Sequence, residues 1–259
     1  MAYTKTTWTE STGITPERLN NLESQYDKAV EDAVTEATPE LTYYVNASTG
    51  NDTSTGLSSG AALKTIGKAI EKAQKEIAAN ITIEIAAGTY AENIEIENMM
   101  CVYLYLKGNG TVNLNGYIDI RKANQARIYN MNITGTNGII AFDMQRLSVD
   151  NTTIAATIMA VQATRVGMIT INNCDLSGGE CVNVTTVGTM NISSTELDAN
   201  GAAAIRLLSG TFAYTRGLTG NIGTVPVHDV SGSILVKGSS TITGGADTKS
   251  NGGQVFEDA

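Results

Sequence analysis

One spacing constrains the fold of this chain more than any other feature. The pattern apolar-x-apolar-x-x-small-x-apolar recurs in eight copies, clearest at Ile169-Ile171-Cys174-Leu176 and weaker towards the end. The second apolar positions are residues 85, 106, 128, 149, 171, 192, 214 and 236, so neighbouring copies lie 21 or 22 residues apart. Such a period with strand-like alternation indicates stacked units that bury their apolar faces only against one another.

The alternation also predicts which side chains point inward, because neighbouring residues of a strand face opposite sides. We expect one internal stack of Ile85, Leu106, Ile128, Val149, Ile171, Ile192, Tyr214 and Val236. Asn130, Asn151 and Asn173 occupy the same place in three consecutive coils. Asparagine tolerates turn geometry and its amides can stack, so these residues predict a ladder at a bend of the coil.

Two solenoid classes share part of this pattern. A leucine-rich repeat needs a further leucine three residues before the first strand position, and a helical return segment. The residues at that upstream place are Cys101, Ala123, Met144, Val166, Val187, Ser209 and Ser231. None is leucine, and the return segments are strand-like, as in Val182 and Val184. The pattern therefore favours an all-β fold, a right-handed single-stranded parallel β-helix with about 21–22 residues per coil.

A capping helix is predicted just before the first coil, near residues 61–79, where Leu63, Ile66, Ile70, Ala73 and Ile77 have helical spacing. The phrases "YYVNASTGNDTSTG", "ALKTIGKAIEKA" and "IEIAAGTYAENIEI" resemble the entry into pectin-lyase-like β-helices. These occur in carbohydrate-active enzymes and bacteriophage tail spikes. We assign the β-helix domain to residues 41–245 and a polar C-terminal tail to residues 246–259.

Residues 1–40 have a different character. Thr15 and Pro16 mark a helix start, and a 3-4-3-4 apolar seam follows at Leu19, Leu22, Tyr26, Ala29 and Ala33. The phrase "TWTESTGITPERLNNLE" resembles the N-terminal segment of tail and baseplate proteins of phages and prophages of Gram-positive bacteria. The resemblance implies a helical attachment and oligomerisation segment, tail or baseplate partners, a homotrimer, and a place in the virion.

Composition excludes several classes of function. A net charge of −9 argues against nucleic-acid binding, which needs a basic surplus. No apolar run approaches the roughly 18 residues of a membrane span, and the N-terminus lacks a secretory signal pattern. Three separate cysteines and a single histidine predict neither a disulfide framework nor a metal site, and no cofactor is expected.

The outward positions suggest binding more than catalysis. Hydrolysis of a glycan by the common mechanism needs two nearby carboxylates, and no such pair emerges from the aligned coils. Tyr103, Tyr105, Arg127 and Tyr129 gather on one outer patch, which suits glycan stacking or a protomer interface. Arg206 and His228 are expected at equivalent places with Asp229 adjacent, which makes these three the alternative site.

Three hypotheses follow. The first is a phage or prophage tail or baseplate appendage that binds a host cell-surface polysaccharide. The second is a lyase or hydrolase that degrades polysaccharide on the same fold. A bacterial surface adhesin is the third, and it is disfavoured because neither a signal peptide nor an anchor is evident. Whether the protein is an enzyme is left open by the sequence, with binding favoured.

Overall fold

The computed structural model describes residues 40–76 and 80–257, which form a right-handed parallel β-helix of about eight coils. The all-β prediction is confirmed. The helix and apolar seam predicted within residues 1–40 lie outside the described residues. The strands, in chain order, are β1 (Glu40–Val45), β2 (Asn80–Tyr90), β3 (Ile94–Glu97), β4 (Tyr103–Asn115), β5 (Ile118–Arg121), β6 (Gln125–Tyr129), β7 (Asn132–Asp150), β8 (Thr153–Asn172), β9 (Asp175–Gly178), β10 (Glu180–Thr185), β11 (Thr189–Ser193), β12 (Glu196–Ala199), β13 (Ile205–Leu208), β14 (Phe212–Arg216), β15 (Asn221–Pro226), β16 (His228–Ser231), β17 (Ile234–Lys237), β18 (Thr243–Gly245), β19 (Thr248–Ser250) and β20 (Gln254–Glu257).

Parallel pairing between successive coils builds the apolar core. Leu106 pairs with Ile128, Ile128 with Val149, Val149 with Ile171, and Ile171 with Ile192. All five side chains have no solvent exposure, so this part of the predicted stack is confirmed. Because each residue sits directly above its counterpart, one coil buries the apolar face of the next.

The predicted register is wrong at both ends of the solenoid. Leu106 pairs with Ile83 rather than Ile85, a shift of two residues that leaves Ile85 facing inward. Near the C-terminus the shift is one residue, and it reverses the faces. Ile192 pairs with Thr215, 23 residues later, so Tyr214 points outward. Val236 pairs with Tyr214 on that outer side. The prediction that Tyr214 and Val236 join the internal stack is therefore wrong.

The corners of the coils use left-handed backbone. Asn130, Asn151 and Asn173 have φ values of 57°, 48° and 52°, and the Asn173 amide donates to Asn151 Oδ1 at 2.7 Å. Asparagine accepts this conformation at a lower cost than most residues, and its side chain can bond to the next rung. The predicted asparagine bend is confirmed at all three positions, and a side-chain bond of the predicted ladder joins Asn151 and Asn173.

A helix, α1 (Ile66–Ala73), lies within the span predicted for the capping helix, behind a 3₁₀ turn at Ser59–Ala61. Its apolar side packs on the core through Ile66, Ala69, Ile70 and Ala73. The Thr65 side chain caps the helix by accepting from the Lys68 N–H. The Glu92 carboxylate accepts from the N–H groups of Ile66 and Gly67, which places negative charge at the helix N-terminus.

The solenoid continues past residue 245. Strand β19 pairs with β16, and β20 pairs with β17, both in parallel. The polar tail predicted for residues 246–259 is therefore wrong for the described part, which adds one more coil. Its strands have few apolar side chains, so alternation did not reveal them. This coil also brings Asp247 and Glu257 to the C-terminal end of the solenoid.

Candidate functional site

The predicted outer patch exists as a cluster. Strand β4 carries Tyr103 and Tyr105, and the adjacent β6 carries Arg127 and Tyr129, all on the outer side. Tyr105 lies directly opposite Arg127 in the register. These four residues are called the tyrosine face below. The sheet positions them because inward Leu104 and Ile128 fix which side of each strand faces water.

The rings and the guanidinium of the tyrosine face contact one another. The Tyr103 and Tyr105 rings stack with centroids 5.7 Å apart and planes 15° from parallel. The Arg127 guanidinium lies over the Tyr129 ring, 5.2 Å from its centroid, at cation–π distance. Burial, followed by the nearby Tyr103 phenol, raises the pKa of Tyr105, so its hydroxyl keeps its proton at neutral pH. The face thus offers flat aromatic surfaces edged by hydrogen-bond donors.

The charges around this face are paired. Asp150 accepts from Arg127 Nε at 2.9 Å, from Ser148 Oγ at 2.8 Å and from Asn172 Nδ2 at 3.0 Å. In the same column of the register as Asp150, Lys107 Nζ lies 2.8 Å from Glu84 Oε1. Glu84 and Asp150 stand three strand spacings apart in the register, roughly 14 Å at 4.8 Å per strand. That exceeds the separation of a glycosidase carboxylate pair, so the arrangement can bind but lacks a hydrolytic pair.

The three residues of the alternative site, Arg206, His228 and Asp229, do not lie on one side of the sheet. Arg206 pairs in the register with Asp229, whereas His228 pairs with Ile205. Arg206 therefore stays outside, where it contacts Glu180 Oε1 at 2.6 Å and Asp229 Oδ2 at 3.2 Å. His228 points into the solenoid and is 3% exposed. The prediction that Arg206 and His228 share a place is wrong, because 23 residues rather than 22 separate the paired positions.

Inside the solenoid, His228 belongs to a polar cluster that the sequence analysis did not find. Its Nδ1 lies 2.9 Å from Asp247 Oδ1, and its Nε2 lies 3.4 Å from Thr215 Oγ1. The other carboxylate oxygen of Asp247 contacts Lys237 Nζ at 2.8 Å, and Lys237 also contacts Glu257 at 2.8 Å. We call these five residues the end chamber. They line a cavity of about 460 Å³.

The end chamber gives a testable pH dependence. Burial alone would raise the pKa of Asp247, but hydrogen bonds from His228 and Lys237 outweigh it and hold that pKa at about 2. A depressed pKa stabilises the fold above the unfolded value, near 4, and the contribution is lost as the pH falls towards 2. Asp247→Asn is therefore expected to lower the melting temperature at pH 7, by a margin that shrinks between pH 4 and pH 2.

Thermal melts of the protein and the variant at pH 7, 5, 4 and 3 measure this effect. The exposed carboxylate Asp198 provides a matched control, because Asp198→Asn is expected to change the melting temperature little at any pH. An Asp247→Asn margin that stayed the same at pH 3 as at pH 7 would contradict the assignment.

Residues 40–76 and 80–257 contain no group of three or more His, Cys, Asp or Glu side chains placed to hold a metal ion. The three cysteines are free and buried, and burial raises the pKa of Cys181 to about 12, which leaves its thiol unreactive at neutral pH. No helix among the described residues is long and apolar enough to cross a membrane.

No protein-family model matches the chain, and no curated protein matches it in sequence. Among solved structures the chain is similar to the crystal structure of a GH136 lacto-N-biosidase from Eubacterium ramulus, with a TM-score of 0.34. The two share 8% sequence identity, and the match covers 93% of this chain and 70% of that chain. A similarity at this score carries no information about activity or substrate.

Proposed function

We propose that this protein is a tail or baseplate appendage of a phage or prophage, and that it binds a host cell-surface polysaccharide through the tyrosine face. The observation that carries the binding proposal is the cluster of Tyr103, Tyr105, Arg127 and Tyr129 on one side of the β-helix. The appendage part rests on the resemblance of residues 1–40 to phage tail and baseplate segments. Those residues would attach the protein to its particle.

A polysaccharide suits this face for physical reasons. Sugar rings present apolar C–H faces that stack on aromatic rings, and hydroxyl groups that bond to phenols and guanidinium groups. The paired Tyr103 and Tyr105 rings supply such a surface, while Arg127 and the neighbouring Lys107 supply donors. A parallel β-helix repeats every 4.8 Å, so a long polymer can contact several rungs at once.

Binding without cleavage is favoured over a depolymerase. Near the tyrosine face, Asp150 accepts three hydrogen bonds and Glu84 is paired with Lys107, which leaves no evident general acid. The depolymerase stays the alternative, and it is an outcome of the experiment below. New reducing ends or unsaturated sugars, released at catalytic protein concentrations, would establish it.

A second outer surface fits contact between copies. Near the C-terminus, Phe212, Tyr214, Ile234, Val236 and Phe256 lie on the outer side of neighbouring strands, and we call them the apolar face. Phe212, Ile234 and Phe256 are 46%, 39% and 51% exposed. Copies of a chain with net charge −9 repel one another, so an uncharged apolar strip is where they can approach most closely. We therefore assign the proposed homotrimer contact here and the tyrosine face to glycan.

Single substitutions test the binding role. Tyr105→Ala and Tyr129→Ala are each expected to weaken glycan binding by about 3- to 10-fold, the equivalent of losing about 0.5–1.5 kcal/mol of stacking. The measurement is binding to an array of bacterial capsular, O-antigen and cell-wall polysaccharides. Tyr117→Ala is the matched control, because Tyr117 lies in a different part of the coil and bonds to Glu95. It should leave binding unchanged.

The same variants separate the two roles considered for this face. If Tyr105→Ala and Tyr129→Ala leave glycan binding intact but shift the protein to monomer in light scattering, the face is a protomer interface. Equal losses for all three tyrosine variants would show that the tyrosine face has no special part in binding.

A further inference from the structure

Two ladders of inward-facing side chains change from apolar to polar residues at the C-terminal end of the solenoid. One ladder runs through Ile171 and Ile192, then becomes Thr215 and Lys237, and ends at Glu257, whose side chain is exposed. The other runs through Val182 and Ile205 and then becomes His228, next to Asp247. Buried polar and charged groups cost free energy that the aliphatic rungs avoid. Because Thr215 and His228 replace apolar residues on both ladders in the same coil, we interpret this end of the solenoid as a site.

The bonding fixes the direction in which protons can move. Asp247 is ionised at neutral pH, since His228 and Lys237 hold its pKa at about 2. A carboxylate only accepts hydrogen bonds, so the proton of a neutral His228 imidazole sits on Nδ1, which faces Asp247. The lone pair is then on Nε2, which faces the hydroxyl of Thr215 at 3.4 Å. A hydroxyl, a base and a group that orients the base thus lie in line.

We propose that the end chamber hydrolyses small acyl esters, with Thr215 as nucleophile, His228 as general base and Asp247 as the residue that positions His228. Hydroxyl-based acyl transfer uses this arrangement: a nucleophile within hydrogen-bond reach of a base that a third group orients. The substrate class is a short-chain ester of an alcohol, including an acylated sugar hydroxyl. The cavity of about 460 Å³ lies within the range of sites for small molecules. This activity leaves glycosidic bonds intact and is independent of the tyrosine face.

The chemical steps balance without a further reagent. Thr215 Oγ1 attacks the ester carbonyl carbon while its proton passes to His228 Nε2. The tetrahedral intermediate collapses, the carbon–oxygen bond to the alcohol breaks, and the alcohol leaves with the proton from His228. Water, deprotonated by His228, then attacks the acyl-threonine and releases the carboxylic acid and free Thr215.

A positive charge is available for the intermediate. Lysine has three N–H donors, and Lys237 uses two of them on Asp247 and Glu257. Within residues 40–76 and 80–257 these are its partners, which leaves the third donor for the oxyanion of a substrate held in the cavity that Lys237 lines. Charge placed where an oxyanion develops lowers the barrier of acyl transfer.

The experiment uses the full chain and p-nitrophenyl acetate. We expect release of p-nitrophenol above the buffer rate, with Thr215→Ser retaining activity and Thr215→Val losing at least about 100-fold. Valine has the shape of threonine without the hydroxyl, and matched melting temperatures check that the fold is kept. A fluorophosphonate probe should add its mass to the wild-type chain but not to the Thr215→Val chain.

Asp247→Asn tests the positioning role, and it is expected to lower kcat with little change in KM and to alter the pH–rate profile. Tyr117→Ala, which lies outside both sites, should leave ester hydrolysis unchanged. The glycan array and the ester assay are separate measurements, so failure of the glycan proposal and failure of this one are distinguishable. The proposal is overturned if the folded protein hydrolyses no ester above the buffer rate, or if Thr215→Val is as active as wild type. The end chamber would then be a polar seal on the last coil.

Discussion

Replacing Ile192 with aspartate is expected to lower the free energy of unfolding by about 3–5 kcal/mol, because an unpaired carboxylate enters a dry core. Ile192 has no solvent exposure and lies between Ile171 and Thr215 in the internal stack. Native domains are stable by only about 5–15 kcal/mol, so the loss approaches the whole stability. The destabilisation falls on the mutated coil and the two coils beside it, since each coil of a solenoid packs only on its neighbours.

The adjacent residue provides the control. Asn191 is exposed and points to the opposite side of β11, so Asn191→Asp is expected to change stability by less than about 0.5 kcal/mol. Urea unfolding, followed by circular dichroism, compares the two variants at equal protein concentration. Similar losses for both would refute the alternation of inward and outward residues in this coil.

The middle coils could be predicted from sequence because their rungs obey one simple rule. From Leu106 to Ile192 every inward position of the stack is aliphatic, and the coils differ in length by a single residue. In these coils the repeat length and the alternation of inward and outward residues therefore predict the same register. The asparagine corner at Asn130, Asn151 and Asn173 reinforced the alignment, because left-handed backbone favours that residue type.

The C-terminal coils broke the rule for a physical reason. Strand β14 places small Ala213 and Thr215 inside and large Phe212 and Tyr214 outside. An alignment that seeks large apolar residues for the core therefore slips by one position. The slip is informative, because apolar side chains on the outer face are those proposed to contact another copy.

The two candidate sites differed in how far sequence could reveal them. The tyrosine face lies on neighbouring strands whose register was predicted correctly, so its grouping followed from alternation alone. The end chamber joins Thr215, His228 and Asp247 from three different strand or loop segments. Thr215 and His228 lie where the predicted register is wrong, and Asp247 lies in the stretch predicted to be a tail. Only the three-dimensional pairing brings them together.

Leu235→Asp and Ile234→Asp form the sharpest test of the revised register. Leucine and isoleucine have the same volume, and the two residues are neighbours on β17. Leu235 has no exposure and stands between Ala213 and Val255 inside the solenoid, whereas Ile234 is 39% exposed on the apolar face. We expect Leu235→Asp to cost about 3–5 kcal/mol and Ile234→Asp to cost about 1 kcal/mol or less within the protomer.

Association must be separated from folding in this comparison. If the apolar face joins copies of the chain, Ile234→Asp places a charge in that contact, and light scattering should show a shift towards monomer. Its apparent loss of stability should then depend on protein concentration, because mass action couples assembly to folding. The loss caused by Leu235→Asp should be present at every concentration. A reversed order, with Ile234→Asp the more damaging at high dilution, would restore the register in which Val236 faces inward. An Ile234→Asp variant that keeps the oligomeric state of the wild type would instead remove the apolar face as the contact between copies.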